Sequence, residues 1–346
     1  MHQDFAFIQT APGRIFVGWG PFDALPFRKP GHPAFFRTDF FLDEARPWLH
    51  PAKWEEMAIG EFAANFPVES VEVEWTAVAD HEFEDLFDSA QAGIERGEFK
   101  KIVPTVFETG HLVRPANPWQ HFLTRLESLP RGLWGYGWSI GTRAVVGATP
   151  EVLFQSHGRG YATMALAGTR PVGRAEELFR STKEMREHRF VVDDIARRLA
   201  PFGNVEIGAL GLMRLPNIAH LITPIFFMES GAERMTFADM VRRLHPTAAL
   251  GVSPRSEAGE RWLRESDRLT GRRGFGAPFG IEREDHVALA LVGIRNIEWR
   301  ADVLRIGSGA GLLAESVLEQ ELEELRQKRD QVKALFGLRT SVEAYT

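Results

Sequence analysis

The sequence predicts an α+β fold rather than a doubly wound sheet. Short apolar, partly alternating stretches come in blocks, within residues 1–80 and again between Leu133 and Leu166, which is the pattern of successive strands. Helical spacing interrupts these blocks instead of alternating regularly with single strands. No internal repeat, low-complexity tract or linker divides the 346 residues, so one domain over residues 1–346 is expected.

Taken in order, residues 1–80 are rich in Phe, Trp and Pro, and Arg14–Trp19 and Val68–Trp75 read as strands between irregular loops. This part carries no recognisable motif and is expected to complete the sheet as its variable N-terminal part. His81–Gly97 reads as a helix, because Phe83, Leu86, Phe87, Ala90 and Ile94 fall close to helical spacing. Phe99–Phe107 reads as a strand and Pro118–Ser128 as a helix. LWGYGWSI, RAVVGAT, EVLFQSH and YATMALAG then give a run of short strands. A long helix over Glu176–Leu199, strand-like residues over Phe202–Phe227 and a helix over Phe237–Leu244 follow. Asp285–Ile306 predicts two strands, and Ser316–Phe336 a final acidic helix.

Hydrophobic residues make up 44% of the chain and charged residues 25%, which supports a sizeable core without metals or disulfide staples. The net charge is −6, with Lys and Arg scattered among Asp and Glu. No basic stripe along the sequence marks a phosphate backbone as partner, so no nucleic acid is expected. The chain has no cysteine, which rules out disulfides, thiolate nucleophiles and Cys-based zinc sites. The first residues, MHQDFAFIQTAPGRIF, lack the basic start and apolar core of a signal peptide. No apolar run approaches the ~20 residues that span a bilayer. A cytoplasmic protein with no membrane partner is expected, and a monomer, since no coiled-coil seam is evident.

Among chemistry-bearing residues, Glu184 and Glu187 stand three apart on one predicted helix, and Glu321 and Glu324 three apart on another. Each pair projects from one helix face. Two such faces meeting would form an oxygen-rich site suited to Mg²⁺, which usually keeps several waters; acidic helix residues otherwise form a solvated face. The cluster Gly307–Gly311 lies between a strand and the last helix. Its backbone N–H groups, with the helix N-terminus, could receive a carboxylate or phosphate. It is neither a Rossmann fingerprint nor a Walker A loop, and a tight turn is the plain alternative. Lys101, inside FKKIVPTVF, either snorkels to the surface or is buried as a general base. His188, His220 and His245 show no metal-binding spacing, and no nucleophilic serine elbow is present.

Six segments fall in a telling order: KIVP at 101–104, VGATPE at 146–151, LAGTRPVG at 166–173, KEMREH at 183–188, LHPTAALG at 244–251 and GSGAGLLAES at 307–316. His220–Leu221 and Ile294–Arg295 fit the same series. Over residues 85–335 the chain resembles the chorismate-utilising family, which includes isochorismate synthases, salicylate synthases and anthranilate synthase component I. The resemblance implies large, mostly antiparallel sheets flanked by helices, with a Mg²⁺ cofactor. It implies that Lys101 activates water and that Glu151 protonates the departing hydroxyl. Glu187 and Glu324 would hold Mg²⁺, with Glu321 their neighbour. Gly168 and Thr169 would lie in the substrate-facing turn, and His220 and Thr247 would line the pocket. Arg295 and the backbone of Gly309, Ala310 and Gly311 would receive substrate carboxylate, with Lys328 following on the last helix.

Within the family, relatives that add ammonia carry glutamine where Lys101 stands, so the lysine implies water as nucleophile and isochorismate as product. No glutaminase partner is then required. Salicylate synthase, which goes on to eliminate pyruvate, shares the base, acid and metal ligands and is the alternative, as is a non-catalytic chorismate-binding homologue. The sequence departs from the family pattern at Val106 (usually Arg), Phe275 (Tyr), Ala248 (Pro) and Val252 (Gly). Nothing in it chooses between menaquinone, siderophore or salicylate biosynthesis.

Overall fold

The computed structural model describes residues 3–338 except 77, 79, 115, 232–234 and 286; residues 339–346 of the expected domain lie outside the described residues. Two large antiparallel sheets dominate it. The first runs Lys53–Ala58, Arg14–Trp19, Phe5–Ala11, Trp134–Ile140, Arg143–Thr149, Asn296–Arg300, Val303–Gly309, Thr105–Leu112, Val73–Trp75. The second runs Gly203–Ile207, Ile218–Glu229, Gly160–Pro171, Val152–His157, Ala288–Val292, Pro278–Glu282, Ala34–Arg37, Trp48–His50, Asp23–Leu25. Gly211–Arg214 adds to the Ile218–Glu229 strand, and Lys101–Ile102 pairs with Val252–Ser253 as a separate two-stranded piece. Strands from residues 1–80 thus enter both sheets.

The helices are α1 (Ile59–Ala63), α2 (Asp80–Glu95), α3 (Trp119–Leu126), α4 (Thr182–Leu199), α5 (Phe237–Leu244), α6 (Glu257–Thr270) and α7 (Leu318–Leu335). No helix among the described residues is long and apolar enough to cross a membrane.

Strand alternation sets the layers. Phe5 and Phe7 pack with residues of α1 and α3, while Ala6 and Ile8 join Phe35, Phe279 and Leu291 between the sheets. Ala34 and Phe36 point the other way, into the core beneath α4 and α5. Strands covered on both faces therefore read as nearly continuous apolar runs rather than clean alternation. Burying each of these large side chains contributes ~1.5–3 kcal/mol. A further core gathers α2, α6 and α7 around Ile102, Val106 and Leu312.

The structure redraws several expected elements. The helix expected over Glu176–Leu199 is two pieces, a 3₁₀ stretch Val172–Arg180 and α4. Ser181 separates them in an extended conformation, its hydroxyl accepting the Glu184 N–H as an N-cap. Asp285–Ile306 holds parts of three strands, not two, because the chain turns at Gly293–Arg295 as well as at Ala301–Asp302. Helix α6 was not anticipated; its buried face is Gly259, Trp262, Leu263 and Ser266, half of which carries no apolar side chain. Helix α1 is likewise a short helix where only strands and loops were expected.

Candidate active site

Two crossings between the sheets build the centre of the site. Thr149–Pro150–Glu151 carries the chain from the first sheet to the second, and Gly293–Ile294–Arg295 carries it back. The crossings are bonded to each other: Val292 N–H donates to Glu151 O at 3.1 Å and Ala148 N–H to Arg295 O at 3.1 Å. Tyr136 Oη donates to Ile294 O at 3.0 Å, and Asn296 Nδ2 bonds both Tyr136 Oη and Gly293 O. These contacts hold Arg295 at φ +53°, a conformation costing a non-glycine residue roughly 1–3 kcal/mol.

A third component is the Lys101–Ile102 strand. Lys101 opposes Ser253, and Ile102 exchanges hydrogen bonds with Leu312 at 3.2 and 2.8 Å. Lys101 is fully buried, so it does not snorkel. Its Nζ lies 3.1 Å from Glu187 Oε1 on α4, yet no hydrogen-bond acceptor is aligned with it among the described residues. Gly311 is what leaves room for this pair. A Cβ there would stand 2.2 Å from Glu187 Oε1 and 2.8 Å from Lys101 Cε.

Glu151, Gly168, Thr169, Glu187, His220, Arg295, Gly309, Gly311, Glu324 and Lys328 all line one cavity, with about 570 Å³ of empty space including its mouth. Thr247 stands behind Glu151 and hydrogen-bonds its carboxyl. Ala310 differs from expectation, because its N–H is engaged with Pro104 O at 3.3 Å and its methyl packs with Val106 and Leu312. Gly307–Gly309 belong to a strand, and α7 starts only at Leu318. The glycine cluster therefore does not open the helix, and no helix N-terminus adds to it.

Burial and charge give the groups distinct states. Burial pushes the Glu151 carboxyl up to about 7, against the pull of Lys101, Thr247, Arg295 and Lys328. His220 is pushed down to about 3 by burial, then by Arg295 and Lys328, so it is neutral. Its Nδ1, placed 3.2 Å from Gly168 O and from Thr169 Oγ1, donates to the carbonyl in the tautomer that leaves Nε2 facing Arg295 at 3.5 Å. Burial lowers Arg295 to about 10, which leaves it charged at neutral pH. Its Nε has no hydrogen-bond partner among the described residues.

Four carboxylates gather where α4 meets α7. Glu184 is raised by burial and by Glu187, and Glu321 by burial and by Glu324. Burial would raise Glu324 too, but Lys328 and Lys183 outweigh it and hold it low. Lys328 Nζ bridges Glu324 at 2.6 Å and Gly309 O at 2.7 Å. No group of three acidic or histidine side chains stands assembled as a coordination sphere among the described residues. Lys183 is the residue the sequence reading missed: it pairs with Glu321 at 2.6 Å and approaches Glu184 at 3.9 Å. The sequence carries no local signal for it, since the helix expected from Glu176 places Lys183 in its interior rather than in its first turn. Leu250, Phe275 and Ile294 also line the cavity.

The profile of the family described as chorismate binding enzyme matches residues 51–336. Isochorismate synthase MenF of Haemophilus influenzae is 28% identical over 263 residues, 73% of this chain and 60% of that protein. Anthranilate synthase component 1 of Methanothermobacter marburgensis is 26% identical over 270 residues, 74% of this chain and 56% of that protein. The alignments thus span 60% or less of these curated relatives. Among solved structures, the menaquinone-specific isochorismate synthase MenF of Escherichia coli superposes with a TM-score of 0.81 at 20% identity, covering 97% of this chain and 89% of that one. The profile spans most of the chain, and the chain belongs to the chorismate-binding enzyme family.

Proposed function

We propose that the protein is an isochorismate synthase, converting chorismate to isochorismate by adding water at ring C2 as the C4 hydroxyl leaves. One observation carries this reading. A carboxyl that keeps its proton near neutrality, Glu151, shares a site with a buried lysine whose Nζ has no aligned acceptor. A proton donor and a proton acceptor in one site are what this displacement requires.

Lys101 takes a proton from the water that adds at C2. Glu151 gives its proton to the departing C4 oxygen, so water is consumed at one carbon and released at the other. Arg295 pairs with one substrate carboxylate through its planar fork, and Lys328 reaches from Glu324 to the Gly309 carbonyl beside it. Neutral His220, fixed through Nδ1, presents Nε2 to the substrate side and accepts rather than donates. The cavity walls Leu250, Phe275 and Ile294 exclude water from the rest of the ring.

The donor chemistry at α4 and α7 fits Mg²⁺. The set is oxygen-only, and burial together with neighbouring carboxylates raises Glu184 and Glu321. Glu187 and Glu324 would hold the ion, with Glu321 beside them; lacking an assembled three-ligand cage, the site suits an ion that retains waters. When bound, it would neutralise the second substrate carboxylate. Chromatography of products formed from chorismate with Mg²⁺ tests the reading. Isochorismate is expected, formed reversibly, abolished by EDTA and reduced at least ~10²-fold by Lys101→Gln. Salicylate with pyruvate would shift the assignment to salicylate synthase, and saturable binding without turnover to a binding protein.

A further inference from the structure

Away from the cavity, five guanidinium groups converge on one open basin with about 880 Å³ of empty space including its mouth: Arg197 and Arg198 from α4, Arg242 and Arg243 from α5, and Arg255 from the turn before α6. Asp194 and Asp239 are the only acids in its lining among the described residues. Two of the arginines are paired, Arg198 with Asp194 and Arg242 with Asp239. Arg197, Arg243 and Arg255 make no ion pair among the described residues, which leaves an excess of three positive charges on a chain whose net charge is −6. Favourable placement at helix C-termini accounts for Arg197, Arg198, Arg242 and Arg243 singly. It does not account for Arg255, nor for three elements turning their guanidinium groups to one place.

The basin also backs onto the catalytic cavity. Arg198 Nη1 donates to the carbonyls of Arg243, Leu244 and Pro246 at 3.1, 3.0 and 3.0 Å. Arg255 Nη2 donates to the same Pro246 carbonyl at 2.7 Å. Pro246 precedes Thr247, which bonds the Glu151 carboxyl, and the same loop supplies Ala249 and Leu250 to the cavity wall. Two arginines of the basin therefore grip the far side of the loop that orients the proposed acid. Arg243 is stacked on Phe202 at 3.3 Å from the ring centre, with its Nε buried and lacking an acceptor among the described residues.

We propose that this basin binds a multiply charged phosphate-type oxyanion, of which pyrophosphate is the simplest probe, and that occupancy braces residues 245–251. Forked guanidinium donors match phosphate oxygens two at a time. An excess of three charges spread over an open basin favours a polyanion over a single carboxylate.

The test is calorimetric titration of the whole protein with pyrophosphate, without Mg²⁺ and at constant ionic strength. Amide exchange of Leu250 and Gly251, which donate to Thr247 O, is followed in parallel. Saturable one-to-one binding is expected, weakened about tenfold or more in Arg197→Gln/Arg243→Gln, together with slowed exchange in the loop. Arg197→Gln alone, at an exposed position, should weaken binding in the same direction and serves if the double variant does not fold. Absence of saturable binding would overturn the proposal, as would affinity unchanged by both variants. Heat abolished equally by matched chloride, the mark of diffuse screening, would also overturn it. None of these readouts depends on turnover, so they stand apart from the reading of the catalytic site.

Discussion

Glu151 holds its proton near neutral pH because desolvation outweighs Lys101, Thr247, Arg295 and Lys328. The sign of its pH dependence follows. The group must be protonated to act, so activity is present below about 7 and is lost as pH rises through that value. The predicted kcat/KM profile has an alkaline limb near pH 7 with about tenfold loss per unit beyond it; a flat profile across that range contradicts the assigned role. Gly311 makes a second residue-scale prediction. Gly311→Ala forces a methyl into the space of the Lys101–Glu187 pair. It should cost about 1–3 kcal/mol of stability by overpacking and about 10²-fold in kcat through misplacement, read by denaturant titration and steady-state kinetics. Most of these identities were legible in the sequence, because the six segments are local strings. Lys183 was not, since its meaning depends on α7, 138 residues away in sequence.

Helix α7 carries Glu324 and Lys328 toward the cavity and a different set of charges on its other side. Arg329 Nη1 donates to Ser308 Oγ at 2.8 Å, and its Nε lies 3.3 Å from Glu108 Oε2. Lys333 Nζ meets the same carboxylate at 2.7 Å. All four side chains are buried, so the network fixes how α7 seats against the strand leading into Gly309–Gly311. Breaking one member of such a pair costs about 3–5 kcal/mol, and Arg329→Met is predicted to lose stability of that order in urea. Arg329→Lys should recover only part of it, because an ammonium cannot reach Glu108 and Ser308 as a fork does; full recovery would mean that charge alone matters. At this scale, strongly periodic elements such as α5 were legible to the residue. The division at Ser181 was not, since the 3₁₀ stretch keeps helical spacing, and α6 was hidden by a buried face half made of Gly and Ser.

The whole molecule places its chemistry where the chain crosses between two sheets. That architecture was legible only as a class: blocks of strands predict α+β, but pairing is a matter of distant partners. Phe5–Ala11 pairs with Trp134–Ile140, and Ala34–Arg37 with Pro278–Glu282, registers that no local string specifies. The basic basin is the same lesson in charge, since its arginines are scattered in sequence and meet only in space. The fold sets a carboxyl that keeps its proton in the cavity wall and buries a lysine near enough to act on it electrostatically, and the central claim is that together they add water at one carbon while releasing water from another. Turnover of chorismate in ¹⁸O-labelled water tests this most directly, by mass spectrometry of the isolated product. The account predicts isochorismate carrying the label in its new C2 hydroxyl; unlabelled isochorismate, or anthranilate formed when ammonia is supplied, would contradict it.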